Sequence, residues 1–411
     1  MIKFEKFTLD NGLRVIVQHD KSTPIAVVNM LYNVGARDEH SDKTGFAHLF
    51  EHLMFGGSLN IPSFDGELQK TGGNNNAFTN NDITNYYITL PKENIETAFW
   101  LESDRMLSLA FSKKSLDVQR NVVIEEFKQR YLNQPYGDVW LLLRPLAYKK
   151  HPYQWATIGK EISHIENATL EDVKKFFYNH YAPNNSIMTI VGNVKTDEIK
   201  KLSKKWFGDI EKREIKKRKL PAEPVQKEER KLSVIRDVPF NSIYKAYHMC
   251  ARNDPDYYSA DLISDILSNG KSSRLYSRLV KDQKIFSEID AYIMGSIDDG
   301  LLIIEGTLSD KIKMEDADLA IINEIEILCA ENISDNELNK IKNKIESTFM
   351  LSQMSPLNIA MRLSYHELIG KAEEINDEIT KYSDVTADNI KKTANKIFRA
   401  ENCCTLFYYA K

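Results

Sequence analysis

Cysteine is scarce and one-sided in this 411-residue chain: Cys250, Cys329, Cys403 and Cys404 are the only four, with none earlier and no C-x-x-C pair. That excludes a disulfide framework or a thiolate metal site as the organising device. A dominant charge is also missing. The 55 basic residues face 59 acidic ones for a net charge of -4, so no strong field calls for nucleic acid or an anionic membrane. No stretch approaches the ~18 uninterrupted apolar residues of a transmembrane helix. The opening MIKFEKFTLDNGLRVIV alternates and carries charge where a signal peptide needs a basic start and a continuous apolar run. From these absences the expectation is a cytoplasmic protein with neither nucleic acid nor membrane as partner.

What is present is an ordinary globular composition, 42% hydrophobic and 28% charged, at a length that exceeds one core and predicts two or three domains. Residues 4–9 and 13–18 are β-rich runs joined by Asp10-Asn11-Gly12, whose Asn-Gly supplies the positive φ of a tight hairpin turn. A strand is expected at 25–32, a helix at 44–55, a strand at 83–90, amphipathic helices at 93–107, 114–132 and 170–181, and a strand at 186–191.

Residues 211–232 show no helical or strand period, hold Pro221 and Pro224, and are dense in mixed charge. The basic residues Lys212, Arg213, Lys216, Lys217, Arg218 and Lys219 are diluted by glutamates and have no interleaved aromatic, so a solvated connection is expected rather than a nucleic-acid patch. The second half then repeats the plan of the first. Strand 30–34 runs into Ala36-Arg37-Asp38-Glu39 and strand 243–249 into Ala251-Arg252-Asn253-Asp254. Each leads to a helix ending near glycine, at Gly56-Gly57 and at Gly270, and the helix-then-strand at 176–191 corresponds to that at 396–410. The expected fold is α+β, with two homologous domains, each a mostly antiparallel sheet with helices packed on it. The expected division is 1–212, a charged linker 213–232, and 233–411.

Chemistry concentrates in GFAHLFEHLMFGG, which sets His48, Glu51 and His52 in an H-x-x-E-H arrangement. Positions four apart on a helix lie one above the other, so both imidazoles can point at one ion, and Glu51 beside them can reach a water on that ion as general base. A structural zinc site would ordinarily complete four protein ligands, often with cysteine, and none is near. A catalytic site needs a third ligand and an open fourth position. The segment KSLDVQRNVVIEEFKQRYL offers adjacent Glu125 and Glu126. Spacing cannot choose between them, because helix neighbours point ~100° apart.

The H-x-x-E-H helix, the downstream R-N-V-V-I-E-E and the G-G-N-N-N-A-F-T segment (residues 72–79) together resemble the pitrilysin and insulinase family of inverted zinc metallopeptidases, particularly its mitochondrial-processing-peptidase branch. The resemblance spans essentially the whole chain. It implies a zinc endopeptidase with one zinc ion per chain, held by His48, His52 and Glu126, with Glu51 as the catalytic base and Gln119 beside the metal where relatives often have a glutamate. It also implies that Asn76, Ala77 and Phe78 lie on an edge strand to which a peptide substrate adds as a further strand. Relatives carry an arginine and a tyrosine in the second domain that grip the substrate. The matching positions here are Val280 and Ser287, while Arg274 and Tyr276 fall in the preceding segment and are expected to be structural. The chain is therefore expected to be half of a clamshell, a homodimer or heterodimer whose partner is a family member supplying the Arg/Tyr pair. The alternative is a non-catalytic assembly or core subunit of the same family, and a third reading is a zinc hydrolase acting on something other than peptides.

Overall fold

The computed structural model describes residues 1–216 and 218–411; Lys217, in the charged connection, lies outside them. The chain forms two compact units. The first is built from Met1–Gln129, Trp155–Pro221 and Met350–Asp377, the second from Arg130–Gln154, Ala222–Phe349 and Glu378–Lys411.

Six strands make the sheet of the first unit: β1 (Glu5–Thr8), β2 (Arg14–His19), β3 (Ile25–Tyr32), β4 (Asn74–Thr79), β5 (Thr84–Pro91) and β6 (Ser186–Gly192), in the spatial order β1-β2-β6-β3-β5-β4. The opening hairpin pairs Glu5 with Val17 and Thr8 with Arg14. Gly12 takes φ 89°, and the Asn11 amide is buried as a donor to the carbonyls of Phe207 and Ile210. β3 and β6 are central and covered on both faces, which is why they read as nearly unbroken apolar runs rather than alternating ones.

The second sheet holds β7 (Arg230–Arg236), β8 (Ser242–His248), β9 (Phe286–Met294), β10 (Leu301–Leu308) and β11 (Cys403–Ala410), ordered β7-β11-β8-β10-β9. Its connectivity repeats that of β2-β6-β3-β5-β4. Each sheet has one parallel pair, β2 with β6 and β7 with β11, and antiparallel pairs thereafter. The repeated α+β domain expected from the order of motifs is present, with β1 added to the first copy.

Neither unit is one continuous stretch of chain. In the first, the helix Pro356–Ile369, from late in the sequence, lays Ile359, Ala360 and Leu363 on Ile16, Val27, Leu31, Ile187 and Val191. A buried polar chain fixes its seat: Asn29 donates to Asn85 and to the Ser364 hydroxyl, and Ser364 donates to Thr189. In the second unit, the helix Val139–Ala147, from the first half of the sequence, packs Val139, Leu143 and Ala147 against Ala246, Ile303, Cys404 and Leu406.

The described residues of the charged connection are mostly exposed, as expected of a solvated segment, but it is pinned at several points. Arg213 donates to the Tyr181 carbonyl (2.6 Å) and lies over the rings of Phe177 and Tyr178. Arg218 pairs with Asp38 and donates to the Asn33 carbonyl. Further on, Glu223 accepts the N–H groups of Lys149, Lys150 and His151, and β7 begins at Arg230. Arg213, Arg218 and Glu223 anchor the segment through bonds to backbone that a charge pattern cannot reveal. Among the described residues no helix is long and apolar enough to cross a membrane.

Candidate metal centre

The helix Phe46–Leu53 is only two turns long, so its ends matter. Gly45 precedes it at φ 86°, where a Cβ would stand 2.5 Å from the Ile158 carbonyl oxygen; only glycine fits. Glu39, buried, accepts the Gly45 N–H on one oxygen (2.9 Å) and the Ala47 N–H on the other (2.8 Å). It satisfies donors a helix start leaves open and sets a carboxyl at the positive end of the helix. Burial nevertheless pushes the Glu39 carboxyl up to about 8, against the pull of those two bonds.

One face of the helix buries Phe46, Ala47, Leu49, Phe50 and Leu53, with Phe50 stacked on Tyr181 at 5.1 Å. The other face carries His48, Glu51 and His52. The two imidazoles lie edge to face, 4.8 Å between ring centres. Opposite them stands the helix Lys113–Phe127, started by a Ser112 cap on the Ser115 N–H and seated by Leu116, Val123, Ile124 and Phe127. From it Glu126 reaches in, its Oε2 lying 3.6 Å from Nε2 of His48 and 3.4 Å from Nε2 of His52. Glu125 points elsewhere, pairing with Lys128 at 2.8 Å. A turn of π-helix, Lys128–Leu132, follows directly.

Two imidazole nitrogens and one carboxylate oxygen thus fall within 4.8 Å of one another. Donors on a tetrahedral ion at zinc–ligand bond lengths would be about 3.3 Å apart, so these residues and their spacing fit zinc. No second such group of histidine, cysteine or acidic ligand atoms occurs among the described residues. The corresponding helix of the second unit, Tyr257–Ser268, has no histidine, and its Asp261 accepts the Tyr382 hydroxyl.

Asn76, Ala77 and Phe78 lie on β4, which among the described residues is an edge strand paired with β5 alone, with Ala77 opposite Tyr86 and Phe78 opposite Asn85. Side chains alternate along a strand. Thr79, not Phe78, is therefore the one that meets the histidine helix, and its hydroxyl donates to Oε2 of Glu51 at 2.7 Å. Gln119 is half-buried two helical turns before Glu126, its side chain beside Gly56. Sequence reasoning did not single out Thr79 or Glu39. A period-two reading of residues 74–79 places Thr79 opposite in facing to Phe78, but only the position of the neighbouring helix shows what it touches.

Arg274 is held by Glu337 through two hydrogen bonds. Val280 lies on the π-helix Tyr276–Asp282, and Ser287 lies on β9 with its hydroxyl on the Thr307 carbonyl.

A sequence model of the insulinase family (peptidase family M16) matches residues 14–159, and one described as the M16 inactive domain matches residues 167–345. The chain is 31% identical over 411 residues to the zinc protease PqqE of Helicobacter pylori, covering 98% of this chain and 92% of that protein. It is 24% identical over 402 residues to a probable mitochondrial-processing peptidase subunit beta of Arabidopsis thaliana, covering 95% and 75%. Among solved structures, a protease from Helicobacter pylori superposes with a TM-score of 0.93 at 30% identity, over 99% of this chain and 100% of that one. With matches that run nearly end to end, this chain belongs to the insulinase family of peptidases, M16.

Proposed function

We propose that the chain is a zinc-dependent endopeptidase that hydrolyses peptides or unfolded polypeptide segments. The observation that carries this reading is the convergence of His48, His52 and Glu126 within 4.8 Å, with Glu51 on the same helix face but outside the donor set. Those three residues would hold the zinc ion, which when bound supplies Lewis-acid polarisation of a water and of the scissile carbonyl. Glu51 takes the proton of the attacking water and passes it to the leaving amine. The open edge of β4 offers main-chain groups to an extended peptide. The Asn76 side chain already occupies the Ala77 N–H at 2.8 Å, and an incoming strand displaces it.

Neither Val280 nor Ser287 can supply a guanidinium or a phenol to a tetrahedral oxyanion. A second family chain that does carry that pair, in a heterodimer, would complete the site, since another copy of this chain repeats Val280 and Ser287; the Arabidopsis relative is itself named as a subunit. The test is to measure zinc content and cleavage of unstructured peptides by the chain alone and with such a partner. Zinc at one per chain with cleavage that rises on adding the partner supports the reading. Zinc without cleavage under either condition overturns it, and full activity of a monomer removes the partner.

A further inference from the structure

We infer that Thr79 is a positioning residue that ties the aim of the Glu51 carboxylate to the state of the edge strand β4; this rests on the endopeptidase reading. The Thr79 hydroxyl donates to Oε2 of Glu51 at 2.7 Å. That bond holds one oxygen of the carboxylate and fixes which way the group faces. Three features make the bond more than a surface contact. Thr79 is β-branched on a strand, so its hydroxyl has few rotamers. It is the last residue of β4, paired with Thr84, directly before a turn in which Asn80 accepts the N–H groups of Asp82 and Ile83 and gives its carbonyl to Ala36. And β4 is an edge, with one flank unpaired by the sheet.

An edge strand paired on one flank is looser than one paired on both. A peptide seated on β4 supplies the second flank, stiffens the strand, and with it the hydroxyl that holds Glu51. Substrate binding and the setting of the base are then linked through one side chain, and the base is held best when a substrate strand is in place. The effect belongs to the chemical step and not to affinity, because Thr79 points at Glu51 and leaves the main-chain groups of β4 unchanged.

The experiment compares Thr79→Val, which keeps the shape and removes the donor, with Thr79→Ser, which keeps the donor. Expected for Thr79→Val are an unchanged zinc stoichiometry, a KM within about twofold of the parent and a kcat lower by about tenfold, with Thr79→Ser restoring most of it. Crystals of the Thr79→Val protein should show the Glu51 carboxylate rotated from its parent position. A parent-like kcat with an unmoved carboxylate overturns the inference, as does a loss confined to KM. If the parent binds zinc but cleaves nothing, the endopeptidase reading falls, and the carboxylate orientation in Thr79→Val still decides whether this hydroxyl sets it.

Discussion

Oε2 of Glu126 lies 3.4 Å from Nε2 of His52, while its neighbour Glu125 turns outward to Lys128. The spacing of two adjacent glutamates leaves the choice of ligand open, and the geometry favours the second. Glu126→Gln should lower zinc affinity by about a hundredfold or more, whereas Glu125→Gln should leave it within about twofold. Titration with a competing chelator measures both. Equal losses in the two variants would reject the assignment.

Glu51 stands beside the donor set without belonging to it. Glu51→Gln should retain a full equivalent of zinc and lose about 10²–10⁴-fold in kcat, the range for removal of a general base. Metal analysis and peptide hydrolysis on one preparation give the answer. A variant that loses zinc as well would place Glu51 among the ligands instead.

Glu39 carries a pH prediction with a definite sign. Its carboxyl is pushed up to about 8 in the fold, from an ordinary value near 4.5, so between those values the folded chain binds more protons than the unfolded one. Stability therefore falls as pH rises from about 5 to about 8 and is flat above, as far as this group contributes. The difference between parent and Glu39→Gln urea midpoints, measured across that window, should shrink as pH rises. The same residue holds two N–H groups at the start of a two-turn helix. Glu39→Ala should therefore cost about 1–3 kcal/mol and loosen the histidine pair.

Leu363 is fully buried in the first unit although it belongs to the last quarter of the sequence. Leu363→Ala should destabilise the protein by about 2–5 kcal/mol, as large-to-small changes in a packed core do. Chemical denaturation followed by near-ultraviolet circular dichroism reads it. A change below ~0.5 kcal/mol, the level of a surface site, would show that this helix is not part of the core.

Local signals carried well where one element explains itself. β3 occupies residues 25–32 as its apolar run suggests, and Asn11-Gly12 makes the expected hairpin because positive φ is a requirement of the turn itself. The H-x-x-E-H spacing shows three of the four central side chains, since a helix fixes the facing of positions three and four apart. What stayed hidden depends on a distant neighbour. Thr79 acquires its meaning from Glu51, 28 positions earlier. Glu39 reads as part of a polar loop until its oxygens meet the N–H groups of Gly45 and Ala47. The helix Pro356–Ile369 is not among the elements expected from the sequence, and nothing in a period says which sheet a helix covers. Arg213 and Arg218 look like members of a charge run because hydrogen bonds to carbonyls leave no mark on composition.

The exchange of helices between the halves bears on how the protein is made. Synthesis proceeds from the N-terminus, and domains ordinarily fold as they emerge. Here the first sheet lacks one of its covering helices, Pro356–Ile369, until Met350–Asp377 have been added. A chain that ends before Met350 therefore carries His48, Glu51, His52 and Glu126 in full on a sheet that still lacks one of its covering helices. Completion of the first unit waits on a segment translated long after the helices that carry its site.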